Sequence, residues 1–143
     1  MKLLFTFLLF SSIVFAQEKG KATMVIYPGC EKYISKGNKE LMKCFGTKVN
    51  EGLLIEVENV LHENNLTIRQ VRIDAKVKFQ VSAKGEFVNL DITGTDSEKS
   101  LLTQAFVNYA RKLIAENIKI KPAVNDEGEN VKLSFNIPYR VNN

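Results

Sequence analysis

Few residues in this chain have types and spacing that could do chemistry: two cysteines, Cys30 and Cys44, and one histidine, His62. They could be soft metal ligands, a nucleophilic thiol with its base, or a covalent staple. A closed structural zinc site takes four protein ligands, usually arriving in close pairs. Here the candidates stand singly in "YPGCEKYISKGNKELMKCFG" and "VLHENN", with no CxxC or HxxxH. A catalytic thiol would need His62 as its base, and that histidine falls where a helix would end, exposed to water. Compartment decides between free thiols and a staple.

The N-terminus supplies the compartment. Lys2 precedes an apolar run from Leu3 to Val14 broken only by Thr6, Ser11 and Ser12; Val14-x-Ala16 follows, and Glu18, Lys19 and Lys21 then bring charge at once. This pattern is that of a secretory leader, residues 1–16, cut after Ala16. The run falls short of the ~20 apolar residues that a membrane-spanning helix needs. An exported chain with an even cysteine count favours a Cys30–Cys44 disulfide. Closing so short a loop stabilises a fold by roughly 3 kcal/mol in the chain-entropy model.

Without Lys2, 19 basic and 16 acidic side chains leave the mature chain at +3, with acids and bases interleaved. That is a solvated surface, not a nucleic-acid or membrane footprint. Its length allows one hydrophobic core. GxSxG, HExxH, Walker and GxGxxG motifs are missing from the sequence, and Asp126 and Glu127 fall in a hydrated turn rather than a pocket that could tune an acid. Phe79, Phe87, Phe106 and Phe135 occupy core or strand positions and not a base-stacking platform. A non-enzymatic protein without cofactor or metal is expected.

The elements that position these residues are legible from periodicity. Between Asn38 and Asn64, Leu41, Met42, Phe45, Val49, Leu53, Val57, Val60 and Leu61 recur at three- and four-residue steps, predicting an amphipathic helix or a broken pair with Gly46 and Gly52 as weak points. Val71 to Ala83 alternates strictly, a strand buried on one face. Gly85 suits a hairpin turn, and "EFVNLDITG" returns with Val88, Leu90 and Ile92 on one face. Thr95 and Glu98 form a capping box, followed by a helix from Ser97 to Glu116 with a stripe of Leu101, Leu102, Ala105, Phe106, Tyr109, Ala110, Leu113 and Ile114. After Pro122 and "NDEGEN", a last strand alternates from Val131 to Val141, with Pro138 among its outward positions. Proline cannot donate to a ladder, so Pro138 belongs at a sheet edge or past the end of pairing. The expected fold is α+β: an antiparallel three-stranded sheet of order 2-1-3, packed by a helix and preceded by an extra disulfide-tied helical segment. That extra segment is expected to cover the second sheet face or the other edge.

The stretch from Val77 to Val141 resembles the C-terminal domain of TonB energy transducers. The resemblance lies in the hairpin with Lys84-Gly85, the Ala105-containing helix, the Lys121-Pro122-Ala123 step before Gly128, and the final "VKLSFNIP" strand. Tyr27-Pro28-Gly29-Cys30-Glu31 with Lys43-Cys44 is similar to a segment that precedes this domain in one branch of that family. With the leader at 1–16 set aside, the resemblance implies an N-terminal extension at 17–70 and a TonB-like domain at 71–143; the expected chain departs from the family's transducers as a stand-alone exported version without membrane anchor or Pro-rich spacer. It further implies a periplasmic module whose last strand, Val131, Lys132, Leu133, Ser134, Phe135, Asn136 and Ile137, accepts an extended segment of an outer-membrane TonB-dependent transporter or other envelope protein by strand addition. An open edge would equally let two copies pair. The competing expectation is a secreted structural or inhibitory domain that presents the loop from Lys121 to Asn130 to a protein target.

Overall fold

The computed structural model describes residues 22–142; the expected leader and its cleavage position lie outside them. In chain order it contains helix α1 (Asn38–Glu63), strands β1 (Ile73–Val81) and β2 (Phe87–Thr93), helix α2 (Asp96–Ala115), the short strands β3 (Ala123–Val124) and β4 (Asn130–Val131), and strand β5 (Leu133–Val141). Short 3-10 turns precede α1 at Glu31–Lys36 and β1 at Ile68–Gln70. The main sheet has the order β2-β1-β5 with both pairings antiparallel, as alternation and the crossover rule require.

β1 is central, and its alternation separates two unlike faces. Ile73, Ala75, Val77, Phe79 and Val81 are all 4% exposed or less, whereas Asp74, Lys76 and Lys78 are exposed. Both helices lie on the apolar face. α1 runs beneath the β5 side, with the Phe45 ring 4.6 Å from that of Phe135. α2 runs beneath the β2 side, with Phe106 5.4 Å and Tyr109 5.9 Å from Phe87. The disulfide-tied helix therefore shares a face with α2 and, among the described residues, the second face and both edges stay uncovered, contrary to expectation. An α1 stripe of Leu41, Phe45, Val49, Leu53 and Val57 is apolar enough to demand the same buried layer.

α1 is unbroken through Gly46 and Gly52. Gly52 is where the helices meet: a Cβ there would stand 2.2 Å from the Tyr109 ring. Its lack of a side chain permits the close approach that offsets its poor helix propensity. The Tyr109 hydroxyl meets that of Tyr27 at 2.9 Å, tying the segment before α1 to α2. One buried cluster includes Met24 to Tyr27, α1, β1 and α2, and so draws on both sides of the boundary expected at 70/71. Met42 and Ile114, read as core from periodicity, are 57% and 79% exposed because they fall on the margins of their stripes. Glu56, a charged residue between the apolar positions of α1, is only 7% exposed, beside Lys112 Nζ at 3.8 Å.

A second departure lies in β2. The pairing passes from Lys78↔Asp91 to Gln80↔Val88, so Asn89 and Leu90 oppose Phe79 alone. This is a β-bulge, and Asn89 takes the left-handed conformation (φ 54°) that asparagine tolerates better than most residues. The slip carries Val88 to the polar face opposite Gln80, and Phe87 replaces it in the core. The expected Val88–Leu90–Ile92 face is thereby corrected.

Candidate functional site

The cysteines form the expected disulfide, Cys30–Cys44. Cys30 is fully buried and follows the Tyr27–Gly29 turn, while Cys44 lies on the second turn of α1. The staple stands where α1 has no capping side chain: its N-cap is Gly37. Covalent attachment holds a helix start that the local sequence leaves unsecured. His62 lies exposed in the last turn of α1, far along the helix from the sulfurs.

Of the seven residues expected to dock a partner, the structure places Leu133, Ser134, Phe135, Asn136 and Ile137 consecutively on β5. Val131 does not belong to that strand: it pairs with Ala123 in the β3–β4 hairpin, and Lys132 bridges the two. The hairpin has its own tight turn, in which the Asn125 carboxamide accepts from the Glu127 and Glu129 amides. It is also tied to the N-terminal segment by backbone bonds between Thr23 and Val124 and between Ile26 and Lys121. Those partners win Val131 from the sheet. The expected loop at 121–130 is thus a pinned hairpin.

The direction of the β5 amides follows from one residue. Pro138 faces Lys76 in the ladder and has no amide hydrogen, so this pair is a non-hydrogen-bonded one. By alternation Ser134 and Asn136, facing Gln80 and Lys78, also point their N–H and C=O groups away from β1, toward the open edge. Their side chains sit on the polar face. The Gln80 amide donates to Ser134 Oγ at 3.1 Å and Asn89 donates to Gln80 Oε1 at 2.6 Å, a polar ladder across all three strands. On the helix side, Leu133, Phe135, Ile137 and Val141 are only half-buried, unlike their β1 neighbours. The edge thus combines outward backbone groups with an apolar flank that another strand would finish covering.

Two concavities border this layer. An apolar groove of about 610 Å³ lies between the β1–β2 turn and the end of α2, with Phe87, Leu113 and the exposed Ile114 in its walls. A cleft of about 480 Å³ lies between α1 and the far end of β5, walled by Asn50, Leu54 and Glu58 on one side and Tyr139 on the other. Tyr139 is 6% exposed and its hydroxyl has no hydrogen-bond partner among the described residues. Burial first, and then the Glu58 carboxylate, push its phenol up to about 12. Alternation alone marks Tyr139 as a core position; no pattern in the sequence shows that its hydroxyl is stranded there.

At the opposite edge, Glu98 links α2 to β1: Oε1 accepts from the Thr95 amide at 2.9 Å and Oε2 from the Asp74 amide at 2.7 Å. These backbone bonds hold its carboxyl below the usual range. The capping box is the one expected from sequence. Among the described residues no helix is long and apolar enough to cross a membrane, and no cluster of three or more metal-ligating side chains occurs. Comparison of the chain with protein-family models, curated proteins and solved structures gives no match.

Proposed function

We propose that this chain is a non-enzymatic binding module of the periplasm, which takes up an extended segment of a partner as a fourth strand along β5. The observation that carries this reading is the nine-residue edge of β5, with the amides of Ser134 and Asn136 directed outward above half-buried Leu133, Phe135 and Ile137. Backbone pairing would provide affinity and the alternate apolar side chains would provide selectivity. The resemblance to TonB C-terminal domains, together with a hairpin, helix and final strand in the order β2-β1-β5, supports an outer-membrane transporter or another envelope protein as the partner. The exported character read from the leader agrees with that setting.

The test is a pull-down from periplasmic and outer-membrane extract with the mature chain, Gln17 to Asn143, and Ser134→Pro as control. The substitution removes one outward donor and no backbone bond to β1, only the exposed side-chain bond from Gln80, so it spares the fold. Transporter proteins retained by the native chain and lost by the variant are expected. Equal retention by both forms, with hydrogen-exchange protection confined to Lys121–Asn130, would instead favour a domain that presents its hairpin to a target.

A further inference from the structure

The cleft at the far end of β5 adds a chemical preference to the docking edge, and its assignment rests on that docking reading. Neighbouring residues in a sheet point to the same face. A docked residue opposite Tyr139 would therefore direct its side chain toward the helix layer, between α1 and β5, where the cleft lies. Leu54 and Ile68 provide apolar walls for an aliphatic stem, while the Glu58 carboxylate and the Asn50 carboxamide provide acceptors. Among the described residues the only other charged one lining the cleft is Arg140. Its Nε donates to Asp74 Oδ1 at 3.2 Å on the polar face, so it does not neutralise Glu58.

We infer that this cleft is a side-chain pocket for a cationic residue, lysine or arginine, carried by the docked strand opposite Tyr139. The stem lies along Leu54 and Ile68, and the head pairs with Glu58. Tyr139 supports the assignment independently. Its hydroxyl is buried beyond the reach of water without a protein partner, a cost that native structures rarely carry without a reason. A cationic head seated against Glu58 gives that oxygen a donor once the Tyr139 hydroxyl turns into the cleft. Leucine, glutamate or aspartate at the same position would leave Glu58 unpaired or repelled. The recognised segment is then one with apolar residues at alternate positions opposite Leu133, Phe135 and Ile137 and a basic residue one step further, opposite Tyr139.

The experiment uses peptides in which three valines alternate with threonines and the same test residue (lysine, glutamine or glutamate) closes both ends, so that either strand direction presents it to the cleft. Affinities are measured by calorimetry for the mature chain. The lysine peptide is expected to bind about tenfold more tightly than the glutamate peptide, with glutamine between them. The net charge of +3 on the mature chain favours the glutamate peptide, so the overall field of the protein cannot produce this order. Glu58→Lys abolishes or inverts the preference, while Glu51→Lys, the same charge change on another part of α1, leaves it intact. Tyr139→Phe reduces the lysine-over-glutamine ratio about threefold without lowering Tm, since it deletes a stranded hydroxyl. Equal affinities for the three peptides, all lost in Ser134→Pro, would overturn the pocket and leave strand docking in place. Binding of none of them would overturn the docking reading and the pocket together.

Discussion

The two halves of this molecule solve the same problem differently. Each places a helix beneath an edge strand, α2 under β2 and α1 under β5. In the β2 half the helix start is written locally: Thr95 caps the Glu98 amide, Glu98 reaches back, and its second oxygen fastens the helix to β1. The edge above it is shortened and bent by the Asn89 bulge, a recognised way of blunting an edge. In the β5 half, α1 begins at an uncapped Gly37, and a disulfide secures its second turn. The edge above it runs nine residues without a bulge. The half whose edge stays open is the half whose helix is held covalently, which keeps the apolar flank of that edge in place without a covering strand.

The contrast is broken most severely at the staple. Replacing Cys30 and Cys44 by alanine is expected to lower stability by roughly 3 kcal/mol, read from denaturant midpoints. Amides in the first turns of α1 should then exchange faster while those of α2 do not. Next in size is the joint between the halves. Gly52→Ala drives a methyl into the Tyr109 ring, which its bond to Tyr27 holds in place, and overpacking of this kind costs about 1–3 kcal/mol.

The β2 half is probed at its cap, where Thr95→Ala is expected to cost about 1 kcal/mol. Glu98 gives the same half a pH signature. Its folded pKa lies below the unfolded value, so its contribution is complete above the unfolded range near ~4.3 and is lost as pH falls through the folded pKa. Glu98→Gln should flatten the acid limb of Tm against pH. The smallest effect sharpens the comparison from the other side. Gly46 has open space around a Cβ and no positive φ, so Gly46→Ala should stabilise α1 by about 0.5–1 kcal/mol, seen as a raised Tm.

Where a single physical rule governed a segment, the sequence was enough to read it. Strict alternation from Ile73 to Val81 located the central strand, Thr95 with Glu98 located the start of α2, and the paired cysteines, set behind an expected leader, located the staple. The departures arise where tertiary partners outweigh local pattern. Asn89 shifts β2 by one residue because a left-handed asparagine lets Phe87 reach the aromatic cluster. Val131 is drawn from the last strand by Ala123. Glu56 is buried through the α1–α2 approach at Gly52, which periodicity marked as a weak point instead of a close-packing position. Of the β5 edge proposed for docking, the alternation and Pro138 were legible, and the outward direction of Ser134 and Asn136 follows once Pro138 has a partner in the ladder. The cleft was not legible, because Asn50, Leu54, Glu58 and Tyr139 meet only when α1 lies beneath β5.

Hydrogen exchange at the Ser134 and Asn136 amides, followed with and without the lysine-ended valine–threonine peptide, addresses the docking edge most directly. Both amides should exchange rapidly in the free chain and slow at least tenfold on binding, with β2 unchanged, as new backbone bonds at the open edge require. Slowing along β2 or within 121–130, with Ser134 and Asn136 unaffected, would contradict the assignment of β5 as the docking strand.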